Sequence, residues 1–504
     1  MLRLFFLLAF LAVFSQAAEN TGGFAYIKIN AGIWGAPAAD VFAADTMEKF
    51  NGNWRALRIP LQTGRYFESL PHFFVLGLGA NYRDDFLIHA EFPLRRDIEA
   101  WYQDPYKRTY TFDPSELDLN VPTEAWGQWN NPAGFVKFGR FKPEIAPTPN
   151  TIILGGAPHH DAIHWKFAAG VARYDFIIAS LNAWLDSSEM EKQQDVKATI
   201  SNARGRVYTE PSKNLLLHKV GLDGGFGYIS ITEQSLIGGK NLEFRDFSPF
   251  TAWHNNFSYG YSKMSTAFEA GLRPIKNSEF YWQFAIEDVQ SPVGEVEGDK
   301  GYTTLAFLAG YKQKILLGNY GEVESRIDAV RTDPQYNNNK VPLQQMTSRK
   351  IYNSNFREQA KPNFADMYIV DYPLGYRRGP DAVDLWWNLK YTPASKKFSA
   401  ELETAYLRQG DCEIYSDHEE CSQQKILSGK EEKLFLLDFL TNYSFNSYFD
   451  IYAGAGFLKA ENKDNVLGND KNDAWVKAGI YIRDLMSLFY SNHSKSPMPN
   501  SPSP

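Results

Sequence analysis

Four side chains of metal-ligating type lie close together in one short segment of the sequence, at His159, His160, Asp161 and His164. Imidazole nitrogens and carboxylate oxygens are zinc ligands. His160 and His164 share a face on a helix and also on a strand, because residues four apart come together in both. The segment offers no complete ligand set, so we expect no metal. We retain His159, His160 and Asp161 as candidate ligand-binding residues.

Arginine and tryptophan side chains offer a second chemistry, the binding of acidic sugars. Arginine binds carboxylates and phosphates through two parallel hydrogen bonds, and tryptophan rings stack on sugar rings. If the chain forms a membrane barrel, Arg140 could instead form an ion pair with a glutamate in the barrel lumen. The tryptophans could then belong to a belt at the membrane interface. The candidate residues of this kind are Trp126, Trp129, Arg140, Arg377 and Arg378. Asp381, which follows the last two in the same segment, is a further candidate ligand-binding residue.

Catalytic arrangements are poorly represented. The sequence contains no Gly-x-Ser-x-Gly, no His-Glu-x-x-His and no glycine-rich phosphate loop. Glu401 and Glu403 are a carboxylate pair of glycosidase type, but charged barrel walls produce such pairs by default. The net charge is -7, and no Lys/Arg cluster indicates nucleic-acid binding. We therefore predict a protein without catalytic residues or cofactors, which is not an enzyme.

A two-residue rhythm of apolar and polar side chains positions these groups. In residues 278–287, Phe280, Trp282 and Phe284 fall on one face of a strand, and mostly polar residues fall on the other. Such a strand has its apolar face on another sheet in a soluble sandwich, or on lipid in an outer-membrane barrel.

Charged residues on the polar faces favour the barrel. They suit a lumen better than a sandwich interior, although they could also be solvent-facing charges of a soluble protein. Aromatic residues make up 15% of the chain, as expected for girdles at two membrane interfaces. The predicted lumen charges are Glu322, Glu324, Arg326, Glu401 and Glu403.

The N-terminal sequence has the layout of a secretory signal peptide, predicted over residues 1–17. Arg3 precedes the apolar run 4–14, which is followed by a small-x-small cleavage site at 15–17. Residues 18–71 are predicted to form an N-terminal periplasmic or plug segment, with a helix over 38–50. The alternative is that residues 24–30 form a first barrel strand.

The predicted fold is therefore all-β: a transmembrane antiparallel β-barrel of roughly 16–18 strands with a short N-terminal helical or plug segment. The barrel is assigned to residues 72–490, and residues 491–504 to a disordered Ser/Pro tail. Short turns such as Asp223-Gly224-Gly225 alternate with long loops, which is typical of outer-membrane barrels. One of those long polar loops contains the run Asn337-Asn338-Asn339.

Cys412 and Cys421 are the only cysteines of the chain. In an oxidising compartment we expect a disulfide, which closes a short loop and contributes roughly 2–3 kcal/mol. A Cys-His metal site with His418 is the alternative.

Four segments carry a resemblance to known barrels. They are 138–143 (Phe-Gly-Arg-Phe-Lys-Pro), 151–154 (Thr-Ile-Ile-Leu), 158–165 and 375–381 (Gly-Tyr-Arg-Arg-Gly-Pro-Asp). They resemble segments of outer-membrane porin-like and capsule-assembly (Wzi) barrels, in which a strand ends in Gly-Arg and a later strand opens with Gly-Pro-Asp. The sequence departs from that pattern after Asp161, where a glycine is expected. The resemblance implies a monomeric barrel with a helical N-terminal element, and in the Wzi family extracellular loops bind surface polysaccharide.

Three functions follow as hypotheses. The first is an outer-membrane barrel, in a Gram-negative-type cell, that attaches or assembles capsular polysaccharide. The second is a general or solute-specific porin, and the third is a secreted soluble all-β carbohydrate-binding protein. For the barrel we expect outer-membrane lipid, surface polysaccharide and the barrel-assembly machinery as partners. The last of these follows from 477–482 (Lys-Ala-Gly-Ile-Tyr-Ile), which resembles a terminal-strand assembly signal.

Overall fold

The alternating segments of the sequence form strands that pair into one closed sheet. The structure is a computed structural model that describes residues 21–34, 55–59, 61–69, 72–83, 85–96, 117–119, 122–155, 159–199, 210–248, 262–288, 304–353, 366–416 and 418–483. Within these ranges, 18 strands form an antiparallel barrel, which confirms the predicted fold class.

The strands are numbered along the chain. They are β1 (Thr21–Trp34), β2 (Arg55–Arg58), β3 (Phe74–Tyr82), β4 (Phe86–Arg96), β5 (Leu117–Leu119), β6 (Glu124–Asn131), β7 (Gly134–Phe141), β8 (His160–Ala169), β9 (Ala172–Leu181), β10 (Lys213–Asp223), β11 (Gly227–Gly238), β12 (Ser262–Leu272), β13 (Ser278–Asp288), β14 (Thr304–Leu316), β15 (Glu322–Thr332), β16 (Thr347–Asn353), β17 (Asp366–Pro373), β18 (Ala382–Thr392), β19 (Phe398–Gln409), β20 (Glu432–Ser444), β21 (Phe449–Glu461) and β22 (Lys471–Ile482).

Helices are few and short. The α-helices are α1 (Leu61–Ser69), α2 (Ser187–Thr199) and α3 (His418–Ser422), and 3₁₀ turns occupy Phe244–Phe247, Gly318–Tyr320, Pro342–Gln344 and Lys463–Asn465. None of the helices within the described ranges is long and apolar enough to cross a membrane. The helix predicted over 38–50 lies outside the described residues.

The first and last strands close the barrel. β1 pairs with β22 from Ile29↔Ile482 to Trp34↔Lys477, and it also pairs with β3. Closure leaves no barrel strand with an unpaired edge. The barrel therefore begins at β1 rather than at residue 72, and the alternative of a first strand over 24–30 describes the structure. Residues 21–34 of the predicted N-terminal segment 18–71 thus belong to the barrel wall.

The connections between barrel strands are short at one end and long at the other. The short ones, such as 83–85, 170–171 and 224–226, define the turn end, and the long ones define the loop end. Gly170 has a φ of +57°, which a tight turn requires and which glycine adopts without strain. In outer-membrane barrels short turns face the periplasm and long loops face outward.

Side chains alternate between the two faces of the wall as the sequence predicted. On β13, Trp282 is 43% exposed on the outside, whereas Tyr281 is completely buried inside. Glycines on the wall let inward aromatic rings lie flat. A Cβ atom on Gly77 would lie 2.0 Å from the Tyr26 ring. The barrel interior is therefore filled with side chains at these levels.

Several loop-end segments fold back into the barrel. β16 and β17 form a hairpin inserted between β15 and β18, and β2 adds to it in parallel. Helix α1 packs on this small sheet through Phe67, in a cluster that includes Tyr352, Tyr368 and Val370. We call these elements, together with residues 142–155, 333–346 and 374–381, the plug.

Candidate functional site

Buried polar contacts attach the plug to the inner wall. Asp328 of β15 is fully buried and accepts hydrogen bonds from Thr148, Tyr281 and the Asn150 amide (2.7 Å). On β13, Gln283 Oε1 accepts from Thr151 Oγ1 (2.8 Å). Because a buried polar group without a partner is costly, these contacts fix residues 148–151 against the wall.

The plug segment 333–346 and the neighbouring strand β16 are bonded to the wall and to the plug segment 142–155. Tyr336 OH donates to the carbonyl of Ile152 (2.5 Å). The Asn337 N–H donates to Glu287 of β13 (2.8 Å), and Lys213 of β10 donates to Thr347 (3.0 Å). Inward side chains from separate strands therefore converge on one plug, which lies across the lumen near the loop end.

Arg349 joins the plug to the loop that carries α2. Its guanidinium donates to both carboxylate oxygens of Asp371 (2.8 and 2.7 Å) and to both of Glu189 (2.7 and 2.8 Å). It also donates to the Trp184 carbonyl (2.7 Å). The Arg349 side chain is 6% exposed, so this network is shielded from solvent. Its hydrogen bonds are charge-assisted and bidentate, which makes them strong.

Glu68 of α1 is the anionic centre of a further plug cluster. Lys350 Nζ lies 2.8 Å from its Oε1, Arg95 Nη1 lies 2.9 Å away, and Tyr352 OH also donates to it. Burial alone would raise the pKa of this carboxyl, but Lys350 and Arg95 outweigh burial and lower the pKa to about 2. The glutamate is therefore ionised over the whole physiological range.

This lowered pKa gives the plug a stability that depends on pH. A group whose pKa is depressed on folding stabilises the fold above its unfolded value, near 4.5, and loses that effect as pH falls through about 2. The contribution is on the order of 2–3 kcal/mol, since the side chain is only one quarter exposed. We expect the protection factors of the α1 amides, which correct the exchange rate for its intrinsic pH dependence, to fall between pH 4.5 and 2 in the wild type. Glu68→Gln should show low protection factors that do not change with pH, and a steep fall retained in the variant would contradict the assignment.

Arg377 and Arg378 lie in the plug beside the inner wall. Arg378 Nε is 3.2 Å from Asp384 Oδ2, and Arg377 Nη2 is 3.7 Å from Glu403 Oε1. The Arg377 guanidinium lies 5.6 Å from the centre of the Trp386 ring, a cation–π contact. The structure thus brings both predicted arginines to the lumen, next to the predicted lumen charge Glu403.

Asp381 has a different role from the one suggested by its sequence motif. Its fully buried carboxylate accepts hydrogen bonds from the N–H groups of Leu427 (2.6 Å), Ser428 (3.0 Å) and Cys412 (3.4 Å). Burial raises its pKa despite these bonds. The carboxylate is thus occupied by the loop 410–431, in which a disulfide joins Cys412 and Cys421.

We expect Asp381→Ala to loosen the loop 410–431 without unfolding the barrel. Removing the carboxylate leaves buried N–H groups without an acceptor, a cost of about 1–3 kcal/mol. Limited proteolysis should cut this loop faster, while the heat-modifiable band on a gel persists. Asp411→Ala is the matched control, because Asp411 is exposed and accepts from the Ser428 hydroxyl only at the edge of the cluster. Equal proteolysis of both variants would contradict the structural role.

The predicted histidine segment does not form a single site. His159 Nε2 lies 3.1 Å from Glu124 Oε1, and His164 Nε2 lies 2.8 Å from Asp175 Oδ1. His160 is buried beside Ser348 of the plug. Among the described residues, the one group with clustered metal-ligand atoms is Asp381, Asp411 and Cys412, and that cysteine is in the disulfide.

Arg140 and Asp161 face each other on the outer surface of the wall. They are register partners on β7 and β8, joined by two hydrogen bonds of 2.9 and 2.7 Å. They share the outward face with the exposed Phe138 and Ile163. The expected lumenal ion pair of Arg140 with a glutamate is wrong, because the inward positions of β7 are the neighbouring ones, such as Lys137.

The two predicted tryptophans point in opposite directions, because their positions on β6 differ by three, an odd number. Trp126 is lumenal: its indole N–H donates to Glu124 (3.1 Å), and Lys137 Nζ lies 3.8 Å from the ring centre. Trp129 is on the outer face near the turn end, 53% exposed. Trp129 therefore matches the interfacial-belt alternative, and the pair cannot form one sugar platform.

The remaining predicted lumen charges lie on inward faces toward the turn end. Glu322 and Glu324 are paired with Lys314 of β14 (2.8 and 3.0 Å), and Glu401 accepts from Asn388 (2.8 Å). Arg326 shares the inward face with Asp328. Below the plug the lumen wall is thus polar and largely paired.

Sequence reasoning did not single out three cations of the plug. Arg65, Lys142 and Arg349 lie in segments without a two-residue rhythm, so no periodic signal marked them. The one available signal was the charge of Lys142, directly after the Gly-Arg strand end.

No protein-family model and no curated protein sequence matches this chain. Solved structures similar to it are outer-membrane barrels. Wzi of Escherichia coli, an outer-membrane protein involved in group 1 capsule assembly and a carbohydrate-binding β-barrel, has 13% identity and a TM-score of 0.49, over 91% of this chain and 84% of Wzi. OccK5 of Pseudomonas aeruginosa has 9% identity and a TM-score of 0.41, over 92% and 98% of the two chains. The outer-membrane channel DcaP of Acinetobacter baumannii has 12% identity and a TM-score of 0.38, over 92% of this chain and 98% of DcaP.

The geometry of the barrel itself places the protein in the outer membrane of a Gram-negative-type cell. The sheet closes, its outer face carries exposed apolar side chains such as Trp282 and Leu385, and its short turns lie at one end. The hypothesis of a secreted soluble protein is wrong, because a closed barrel with this outer face is solvated by lipid.

Proposed function

We propose that this outer-membrane barrel binds surface polysaccharide at its loop end, as an attachment or assembly protein and not as an enzyme or an open pore. The observation that carries the proposal is the plug. Its attachment to β10, β13 and β15 by buried polar contacts supports a lumen closed to bulk solute flow. A closed lumen leaves recognition at the loops as the function that this barrel performs best.

A second candidate is a solute-specific channel. The polar wall below the plug favours it, since Glu322, Glu324 and Glu401 line the turn-end part of the lumen. Fixed negative charge concentrates cations, so an open lumen of this kind would be cation-selective.

Two measurements on the purified full-length protein separate the candidates. In a planar bilayer, a plugged polysaccharide binder should conduct little, and on a column of the cell's own surface polysaccharide it should be retained. Neutral dextran on the same matrix is the control for non-specific retention. Steady, large, cation-selective conductance with no retention would overturn the binder and leave the channel.

A further inference from the structure

Arg377 is held in the lumen with part of its donor capacity unused by the protein. Its Nε and Nη2 atoms are buried and donate no hydrogen bond to any group in the described part of the chain. The nearest carboxylate oxygen, Glu403 Oε1 at 3.7 Å, already accepts the indole N–H of Trp386 (2.7 Å). The side chain as a whole is 21% exposed, so a small rotation of the guanidinium would present the two covered nitrogens to a ligand in the lumen.

Other cations crowd the same place. Arg65 of α1 stacks on the ring of Tyr372 (5.6 Å), in the strand that leads to Arg377. Burial and then the charges of Arg377 and Arg378 lower the pKa of Arg65 to about 9. Lys142 has an exposed side chain, but partial desolvation and the charges of Arg65 and Arg377 likewise lower its pKa. Like charges thus repel one another across the junction of plug and wall.

Carboxylates beside this cluster are already engaged by other groups of the protein. Asp384 accepts the Tyr376 hydroxyl and acts on Arg378, and Glu403 accepts the indole N–H of Trp386. Glu68 accepts hydrogen bonds from both Arg95 and Lys350. A group of like charges that includes the two unused donors of Arg377 is complementary to an anion.

We propose that Arg377, with Arg65 and Lys142, forms an anion site in the lumen that binds a carboxylate or phosphate group. A planar carboxylate accepts both free N–H directions of the fork, while Trp386 supports the guanidinium from one face. An acidic sugar residue presents this chemistry, and that refinement rests on the proposed polysaccharide function. A small free carboxylate or inorganic phosphate presents it too.

The test is calorimetric titration of the full-length protein in detergent micelles. The probes are glucuronate, inorganic phosphate, an oligosaccharide of uronic acids and a neutral glucan of equal length. We expect glucuronate to bind and the neutral glucan not to bind, and we expect glucuronate binding to weaken at high salt. Arg377→Gln should weaken glucuronate binding by about tenfold or more, and Arg377→Lys should fall between, because lysine keeps the charge but loses the fork. Arg408→Gln is the control, because Arg408 is partly exposed and paired with Glu431 outside the lumen. The affinity of this variant for glucuronate should stay unchanged.

The outcomes separate this site from the function above. Unchanged affinity for every anion in a folded, heat-modifiable Arg377→Gln protein overturns the site. If the oligosaccharide binds wild type and Arg377→Gln equally, polysaccharide binding stands and the assignment to Arg377 falls. If glucuronate or phosphate binds through Arg377 but the oligosaccharide does not, the site stands with a small anion as its ligand, and the proposed polysaccharide function falls.

Discussion

Replacing Arg349 with leucine should destabilise the plug by about 3–5 kcal/mol, the cost of leaving buried charges without their partner. The change keeps an apolar side chain in place but removes every hydrogen bond to Asp371 and Glu189, whose side chains are 1% and 10% exposed. Lys213 lies close enough to Asp371 to offset part of this loss, which favours the lower end of the range. At about 1.4 kcal/mol per tenfold change, the open plug becomes at least roughly a hundredfold more populated.

Two measurements report this opening. Hydrogen exchange should accelerate in β16 and β17 while the barrel strands stay protected, and bilayer conductance should rise because the plug leaves its place in the lumen. Arg408→Leu is the matched control, since an ion pair at a partly exposed site contributes only about 0–1 kcal/mol. Barrel-wide loss of protection in Arg349→Leu, or no change in conductance beside faster exchange, would contradict the view that this plug is an independent closing element.

The barrel wall could be predicted from the sequence because lipid and lumen impose a strict two-residue rule. Trp282 and Tyr281 are neighbours in sequence with opposite solvents, and the alternation alone separates them. The rule also placed Glu401 and Glu403 on the inward face of β19. It did not give the register between strands, so it could not reveal that Arg140 meets Asp161 on the outside.

Of the plug, only β2 and α1 lie within the N-terminal plug segment predicted over 18–71. Its later segments could not be predicted, because composition does not distinguish polar groups in water from polar groups against a protein wall. The run of asparagines at 337–339 has the composition of an exposed loop, yet Asn337 and Asn338 are 2% and 0% exposed. The backbone N–H of Asn337 donates to Glu287 of the wall, and the side-chain amide of Asn338 donates to the Ser416 carbonyl. Only the closed barrel brings these partners together. The same holds for Asp381, whose motif indicated a ligand site and whose contacts are with residues 412–428.

A charge placed on the outward face of the wall should also destabilise the protein strongly. Trp282→Arg should cost about 2–4 kcal/mol, because a guanidinium near the middle of the strand must sit in hydrocarbon. Trp282 lies midway along β13, is 43% exposed on the outer face, and has apolar outward neighbours such as Phe284 and Phe307. Its register partners on the neighbouring strands are Ala270 and Ala309, which offer no counter-charge, so the new guanidinium must reach toward an interface.

Asn388→Arg provides the inward control at a similar depth, on β18. Asn388 already donates to Glu401 (2.8 Å), so an arginine there gains an ion pair in a polar lumen and should fold with little loss. Urea unfolding of both variants in lipid vesicles, followed by tryptophan fluorescence and heat-modifiability, measures the difference. A one-residue slip in register would exchange the two faces of the wall. Equal tolerance of the two arginines would therefore mean that lipid does not lie on the side of Trp282. That result would contradict the closed, lipid-embedded barrel on which the plug and its anion site depend.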